Sequence, residues 1–290
     1  MLDILSKFEN YEIENFGLIR LPEIVISKEQ KEKYGLDEKT NNLNFLKQLV
    51  YQGYEQKLKN NKIDYKRAKE YGDRCKYELD IIDGLGFTDY VLLVWDIINF
   101  CDIQGIPRGA GRGSAGGSLI FHLIGITKYL DPLNYPLYFE RFISKARAKK
   151  TIIDGITYID GSLAPDFDLD VCHFRRNEVV EYLKTKYPNK VAKLSTFNTF
   201  SGRLLIKECG KIISEKSESE MNEISELIPK IFGQVKDIEE TYQEVPKFKE
   251  WCDNNREIYD IALSLRGLIK NRGSHASGYA ISYFPIEEIV

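Results

Sequence analysis

The alternation of apolar and polar positions changes period several times along this chain of 290 residues. Leu43, Leu46, Leu49 and Val50 recur at helical spacing and predict an amphipathic helix. Ala68, Tyr71, Cys75, Leu79 and Ile82 form a second stripe, which Asp83-Gly84 and Gly86 bring to an end. From Tyr90 to Cys101 the residues are apolar on most sides, as in a buried helix, and Gly105-Ile106-Pro107 closes it. Residues 1–40 are mixed and read as a covering segment. Residues 151–160 read as a hairpin turning at Asp154-Gly155. Val180, Leu183 and Tyr187 give another helix, stopped by Pro188. From Phe197 to Lys270 the pattern is mostly helical and polar, with breaks at Gly233 and Pro246, and reads as a separate helical subdomain. β character returns at Tyr279–Tyr283. The mixture points to an α+β protein.

The stretch Pro165-Asp-Phe-Asp-Leu-Asp-Val171 has a period of two. In a strand that period puts Asp166, Asp168 and Asp170 on one face and Phe167, Leu169 and Val171 on the other. Same-face residues sit roughly 7 Å apart along a strand. Two such carboxylates can share a pair of Mg²⁺ ions about 4 Å apart, the arrangement used in phosphoryl transfer. Alternating acids also decorate exposed edge strands, and both readings stand at this point.

Upstream, Gly109-Ala-Gly-Arg-Gly-Ser-Ala-Gly-Gly-Ser118 runs into Leu119, Ile120, Leu123 and Ile124, a glycine-rich loop feeding a helix. Glycines let the backbone approach an anion closely, and N–H groups at a helix start point toward it. Arg112 adds a forked donor and Ser114 a hydroxyl. The loop lacks the Lys-Ser/Thr ending of a Walker A motif. It matches G-x-G-x-x-G through Gly111, Gly113 and Gly116, a weak signal on its own, with no well-placed acid to complete a dinucleotide site. A plain tight turn is the competing reading.

The net charge of −3 argues against a uniformly basic nucleic-acid binder, but the charge is uneven. Residues 144–150 and 183–193 each hold four basic groups and no acid, whereas residues 214–226 are strongly acidic. Basic runs near an acidic strand suit a polyanion held beside a metal, although each alone reads as a solvated face. Five scattered cysteines, none in a C-x-x-C pair, predict free thiols in a reducing compartment and no zinc. The first residues carry acids rather than a secretory signal, and no apolar run is long enough to span a bilayer. A cytoplasmic protein is expected.

A Gly-Ser turn into a helix, followed by D-x-D on a strand, is the general plan of polymerase-beta-like nucleotidyltransferases. The resemblance becomes specific in ordered motifs: Gly86-Phe-Thr-Asp-Tyr90, Gly105-Ile-Pro107, GRGSAGGSL, Asp131-Pro-Leu133, Phe139-Glu-Arg-Phe142 and PDFDLD. Together these resemble the palm of C-family bacterial replicative DNA polymerases, the polymerase III alpha subunits. Thr196-Phe-Asn-Thr199 resembles the family's turn into the thumb, and His275-Ala-Ser-Gly278 its turn back into the palm. The resemblance covers most of the chain beyond residue 20.

The resemblance implies a polymerase-beta-like palm, a mixed sheet with flanking helices, over 1–196, a helical thumb over 197–270 and a return to the palm over 271–290. It implies template-directed nucleotidyl transfer from a dNTP to a primer 3′-hydroxyl, with two Mg²⁺ ions on Asp166 and Asp168. Asp170 matches a position not counted among the catalytic acids. Arg112, Gly113 and Ser114 match the loop that holds the triphosphate, and Arg141 and Arg147 resemble basic residues near it. Arg203 and Lys207, four apart on one helical face, are candidates for the primer–template backbone, with a solvated face as the alternative. His275 is expected to fix its turn by hydrogen bonding, His122 to be a satisfied core residue and His173 to be held by local packing.

Several features depart from the family. Residues 144–164 are longer by about a hairpin, Val171 replaces a frequent aromatic, and Asn198 replaces a glycine. The family's PHP domain, third catalytic aspartate and fingers have no counterpart here. A further polypeptide or a downstream region is therefore expected to complete the enzyme. Two other functions remain open from sequence: a non-templated nucleotidyltransferase and a non-catalytic DNA-binding half.

Overall fold

The computed structural model describes residues 18–37, 39–135, 137–143, 150–153, 156–160, 167–214, 216–231 and 233–288. Asp166, Arg147 and the Asp154-Gly155 turn lie outside these residues. The chain divides into two compact units, one of residues 1–192 with 280–290 and one of residues 193–279.

In the first unit, β1 (Leu18–Ile19) and α1 (Lys28–Lys33) precede α2 (Asn42–Lys59) and α3 (Ala68–Gly84). Next come α4 (Thr88–Ile103), a 3₁₀ turn (Gly113–Gly117) and the short α5 (Leu119–Leu123). The predicted stripes pack inward. Phe45, Leu46, Leu49 and Val50 of α2, Ile81 and Ile82 of α3 and Val91, Leu92 and Trp95 of α4 share one core with Leu119, Ile120 and Phe121. Strands β2 (Lys150–Ile153) and β3 (Ile156–Asp160) form the expected antiparallel hairpin, with Thr151 opposite Tyr158. Strand β1 pairs with the other edge of β3, giving the order β1-β3-β2. Helix α6 (Arg176–Lys186) buries Val179, Val180 and Leu183.

The chain leaves this unit along β4 (Val191–Thr199). In the second unit, α7 (Gly202–Ile213), α8 (Glu218–Glu226), the two-residue strands β5 (Lys230–Ile231) and β6 (Gln234–Val235), α9 (Ile238–Glu244), α10 (Pro246–Asn254) and α11 (Arg256–Leu265) follow. Leu205, Ile206, Met221, Phe248 and Tyr259 form a core separate from that of the first unit. Pro246 opens α10 at its first turn, where the missing N–H costs nothing. The return path is β7 (Ile269–Ile281), which pairs with β4. The two motifs read as turns thus lie within strands. Thr196–Thr199 closes β4, and His275–Gly278 sits inside β7. All five cysteines are free thiols. Among the described residues no helix is long and apolar enough to cross a membrane.

The mixed sheet expected beneath the acids is not formed among the described residues. Residues 167–171 run extended and join the rest of the protein by a single antiparallel bridge, Val171 to Arg108. Cys172 N–H donates to the Pro107 carbonyl at 2.9 Å, and Gly109 N–H to the Asp170 carbonyl at 2.8 Å. On the Cys172 side the ladder cannot extend because Pro107 has no N–H. Side-chain alternation survives nonetheless. Phe167 and Leu169 pack against the core while Asp168 and Asp170 are exposed.

Between α3 and α5 lies a buried carboxylate. Glu78 is fully buried, and it accepts from the N–H groups of Leu119 at 2.9 Å and Ile120 at 3.1 Å and from Ser118 Oγ at 2.8 Å. Arg74, one helical turn earlier, pairs with it at 2.6 Å. Burial pushes the Glu78 carboxyl above the ordinary carboxylate range, while these donors pull against that rise. Arg74 also donates to the Gly117 carbonyl at 2.9 Å. The end of the glycine loop is thereby tied to α3.

His122 departs from expectation in one respect. It is a core residue, 6% exposed, but its Nδ1 has no hydrogen-bond partner. Burial first, then Lys57 and Lys62, push its pKa down to about 4, with Asp131 pulling the other way.

Two outcomes are expected. Glu78→Ala leaves the Arg74 charge without its counter-ion and three donors without their acceptor and should cost about 3 kcal/mol or more. Urea unfolding of the first unit, followed by Trp95 fluorescence in a Trp251→Phe background, measures it. His122 is neutral when folded and protonated when unfolded between pH 6.5 and 4, so its contribution to stability is lost as pH falls through that window. The slope is at most about 1.4 kcal/mol per pH unit. The difference in stability between wild type and His122→Leu, measured from pH 7 to pH 4, should reproduce that slope.

Candidate active site

The glycine loop is clamped at both ends. At its start, the Arg108 guanidinium is 4% exposed and pairs with both oxygens of Asp102, at 2.8 and 2.7 Å. It also donates to the Gly125 carbonyl at 2.9 Å, and Lys128 N–H donates to the Ala110 carbonyl at 2.8 Å. At its end, Ser118 caps α5, accepting from Phe121 N–H at 3.2 Å while it donates to Glu78. Sequence reasoning missed Arg74, Glu78 and Arg108. The signal for Glu78 was an acid set within the apolar stripe Cys75, Leu79 and Ile82, a position that requires partners.

Between the clamps, the loop meets the acidic stretch. Arg112 Nη2 lies 3.0 Å from Asp168 Oδ1, and Arg112 Nε lies 3.3 Å from Asp170 Oδ1. All three side chains are about half exposed, at 58%, 47% and 60%. Gly113 follows with φ of +70°, a left-handed conformation that suits glycine, and a Cβ there would stand 3.9 Å from Asp168 Oδ2. At Gly109 a Cβ would come within 2.8 Å of the Asp170 Cβ, so only glycine fits that approach. Ser114 lies in the 3₁₀ turn that starts at Gly113. The first N–H groups of a helical turn lack partners within it, and an anion can use them.

The structure thus brings together Arg112, Gly113, Ser114 and Asp168. Arg141 stands exposed on the turn Phe139–Arg141 and forms no ion pair with Asp168 or Asp170. Asp166 and Arg147 lie outside the described residues.

In the second unit, the candidate DNA contacts are engaged within the unit itself. Arg203 donates from Nε and Nη2 to the Ile228 carbonyl, at 2.8 and 2.6 Å, and so satisfies the chain end that leaves α8. Lys207 pairs with Glu218 in the first turn of α8 at 2.8 Å. The guanidinium of Arg203 is an anchor of the fold rather than a free point charge.

His275 Nδ1 accepts from Gly278 N–H at 2.6 Å and Ser277 N–H at 3.2 Å. Successive N–H groups point to opposite sides of a regular strand, so this shared acceptor marks a local irregularity in β7. His173 is exposed, its ring against that of the exposed Phe174.

Asp168 offers hard carboxylate oxygens and already faces a cation, the Arg112 guanidinium. Such donors fit Mg²⁺. Among the described residues no three His, Cys, Asp or Glu side chains gather to hold a metal.

A family profile described as "Bacterial DNA polymerase III alpha NTPase domain" matches residues 44–290. The chain is 32% identical over 271 residues to the DNA polymerase III subunit alpha of Aquifex aeolicus, covering 85% of this chain and 22% of that protein. It is 34% identical over 262 residues to the subunit of Campylobacter jejuni, covering 89% and 20%. It is 36% identical over 222 residues to that of Staphylococcus epidermidis, covering 75% and 19%. The chain spans about a fifth of the length of these relatives. With the glycine loop and the acidic stretch in contact and a match of this extent, the chain belongs to the bacterial DNA polymerase III alpha family.

Proposed function

We propose that the first unit is the palm and the second the thumb of a template-directed DNA polymerase, completed by a further region or polypeptide. The observation that supports this most directly is the Arg112–Asp168 contact, which sets the glycine loop against an acid of the alternating stretch. In this reading Asp168, with Asp166, would hold two Mg²⁺ ions. When bound, those ions would activate the primer 3′-hydroxyl and neutralise the triphosphate.

The chain's own residues position the nucleotide. Arg112 donates a fork to the phosphate oxygens, while Gly113 and Ser114 present N–H groups and a hydroxyl. The buried Glu78–Arg74 pair keeps that cradle at a fixed distance from Asp168, and fixed geometry is what an in-line displacement requires. The primer oxygen forms a bond to the α-phosphorus, and the bond to pyrophosphate breaks. Sequence selection resides in template pairing. Arg141 and Arg147 add positive charge beside the triphosphate. Binding to primer–template through the phosphate backbone is salt-dependent. The third acid and the surface that stacks on the new base pair come from the completing region, and the assembly acts in the cytoplasm.

Asp168→Ala tests the reading. In the completed enzyme, primer extension should fall by about 10³-fold or more, because electrostatic stabilisation at the transferring phosphorus is lost. Binding of labelled primer–template, followed by anisotropy, should change little. Extension at a near-wild-type rate would remove Asp168 from the chemistry.

A further inference from the structure

Arg112 divides its guanidinium between two acids with different attachments to the protein. Asp170 is bound to the loop through its main chain. Its carbonyl takes the Gly109 N–H at 2.8 Å, its neighbour Val171 bridges Arg108, and its Cβ fills the space that Gly109 leaves open. Its carboxylate faces Arg112 Nε at 3.3 Å. Asp168 lies two residues further from that bridge and meets a different atom, Nη2, at 3.0 Å.

We propose that Asp170 is the positioning residue for Arg112, holding Nε at the glycine loop while the Nη arm exchanges Asp168 for a phosphate group when a divalent cation takes the Asp168 carboxylate. The cation half of this proposal rests on the reading of Asp168 as a metal ligand. The Asp170 half rests on the geometry alone.

The charges support this division of labour. A divalent cation on Asp168 places like charge beside Nη2, and that arm must turn away. Both exposed pairs are weak, so either can exchange, and what sets Asp170 apart is its main chain, fixed to the loop by the Gly109 N–H and the Val171–Arg108 bridge. An arm released without an anchor would sweep through many rotamers. An arm still tethered at Nε keeps its fork near the loop, where it suits an anionic oxygen pair. Asp170 therefore acts through Arg112 and touches neither metal nor substrate. The same guanidinium also balances two acids that would otherwise repel each other.

Arginine side-chain NMR of the full chain, labelled with ¹⁵N-arginine, tests each half separately. Arg112→Gln assigns the Arg112 Nε–H signal. In Asp170→Asn, solvent exchange of that Nε–H should speed up several-fold, whereas in Asp168→Asn it should stay within about twofold of wild type. Added Mg²⁺ should shift the Nη signals and leave Nε–H in place. An Nε–H unaffected by Asp170→Asn overturns the positioning role, whatever Mg²⁺ does. Accelerated exchange in Asp170→Asn with no response to Mg²⁺ leaves the positioning role standing and refutes the metal reading of Asp168.

Binding of inorganic tripolyphosphate with Mg²⁺ supplies the second readout. Asp170→Asn should weaken it several-fold in the wild-type background and not at all in an Arg112→Gln background. Equal losses in both backgrounds would mean that Asp170 acts on something other than Arg112.

Discussion

A buried negative charge governs the geometry of the glycine loop. Glu78 has no exposure, and its two oxygens collect the Leu119 and Ile120 N–H groups, the Ser118 hydroxyl and the Arg74 guanidinium. An ion taken out of water must be repaid by such partners, and a set this complete leaves little freedom of position. The helix start after the loop is consequently fixed to α3. Arg108 does the same at the loop's entrance through Asp102 and the Gly125 carbonyl. Between the two anchors, Lys128 N–H donates to the Ala110 carbonyl, Ala115 is buried in the core and Gly117 lies against the Tyr138 carbonyl, so the loop inherits its shape from its ends and from the core beneath it.

That inherited shape sets the electrostatics of the site. The loop presents Arg112 toward acids that alternate along an extended segment with an apolar underside. Phe167 packs edge-on against Phe121 of α5 at 5.5 Å, so the acidic segment is seated on the same helix that Glu78 caps. Core packing and charge placement therefore have a common support. A substitution that loosens α5 would disturb both the cradle and the acids, although it touches neither.

How much of this the sequence carried depends on how local each signal was. Helices α2, α3 and α6 were legible because one face of each is apolar and packed, and α4 because it is apolar on most sides and buried. The hairpin β2–β3 was legible from the Asp-Gly turn signal in its sequence, and the alternation of residues 167–171 from one-sided burial at a period of two. Strand β4 was not. Val191, Leu194 and Phe197 are spaced by three, and most of the strand is exposed, so no one-sided burial marks it. The meeting of Arg112 with Asp168 followed from resemblance and not from spacing. Glu78 was overlooked because its partners come from Arg74, four residues before it, and from residues about forty positions ahead. Arg203 looked like a surface charge because nothing local announces that carbonyls beyond α8 will need a donor.

The paired strands β4 and β7 have a topological consequence. Phe200 N–H donates to the Leu268 carbonyl at 2.9 Å, and Gly267 N–H donates to the Phe200 carbonyl at 3.3 Å. Everything between those residues leaves and re-enters at neighbouring points and buries its own apolar side chains. Such a segment is a cassette. It can lengthen, shorten or be exchanged for another without rethreading the rest of the chain, since its entry and exit lie side by side on two paired strands.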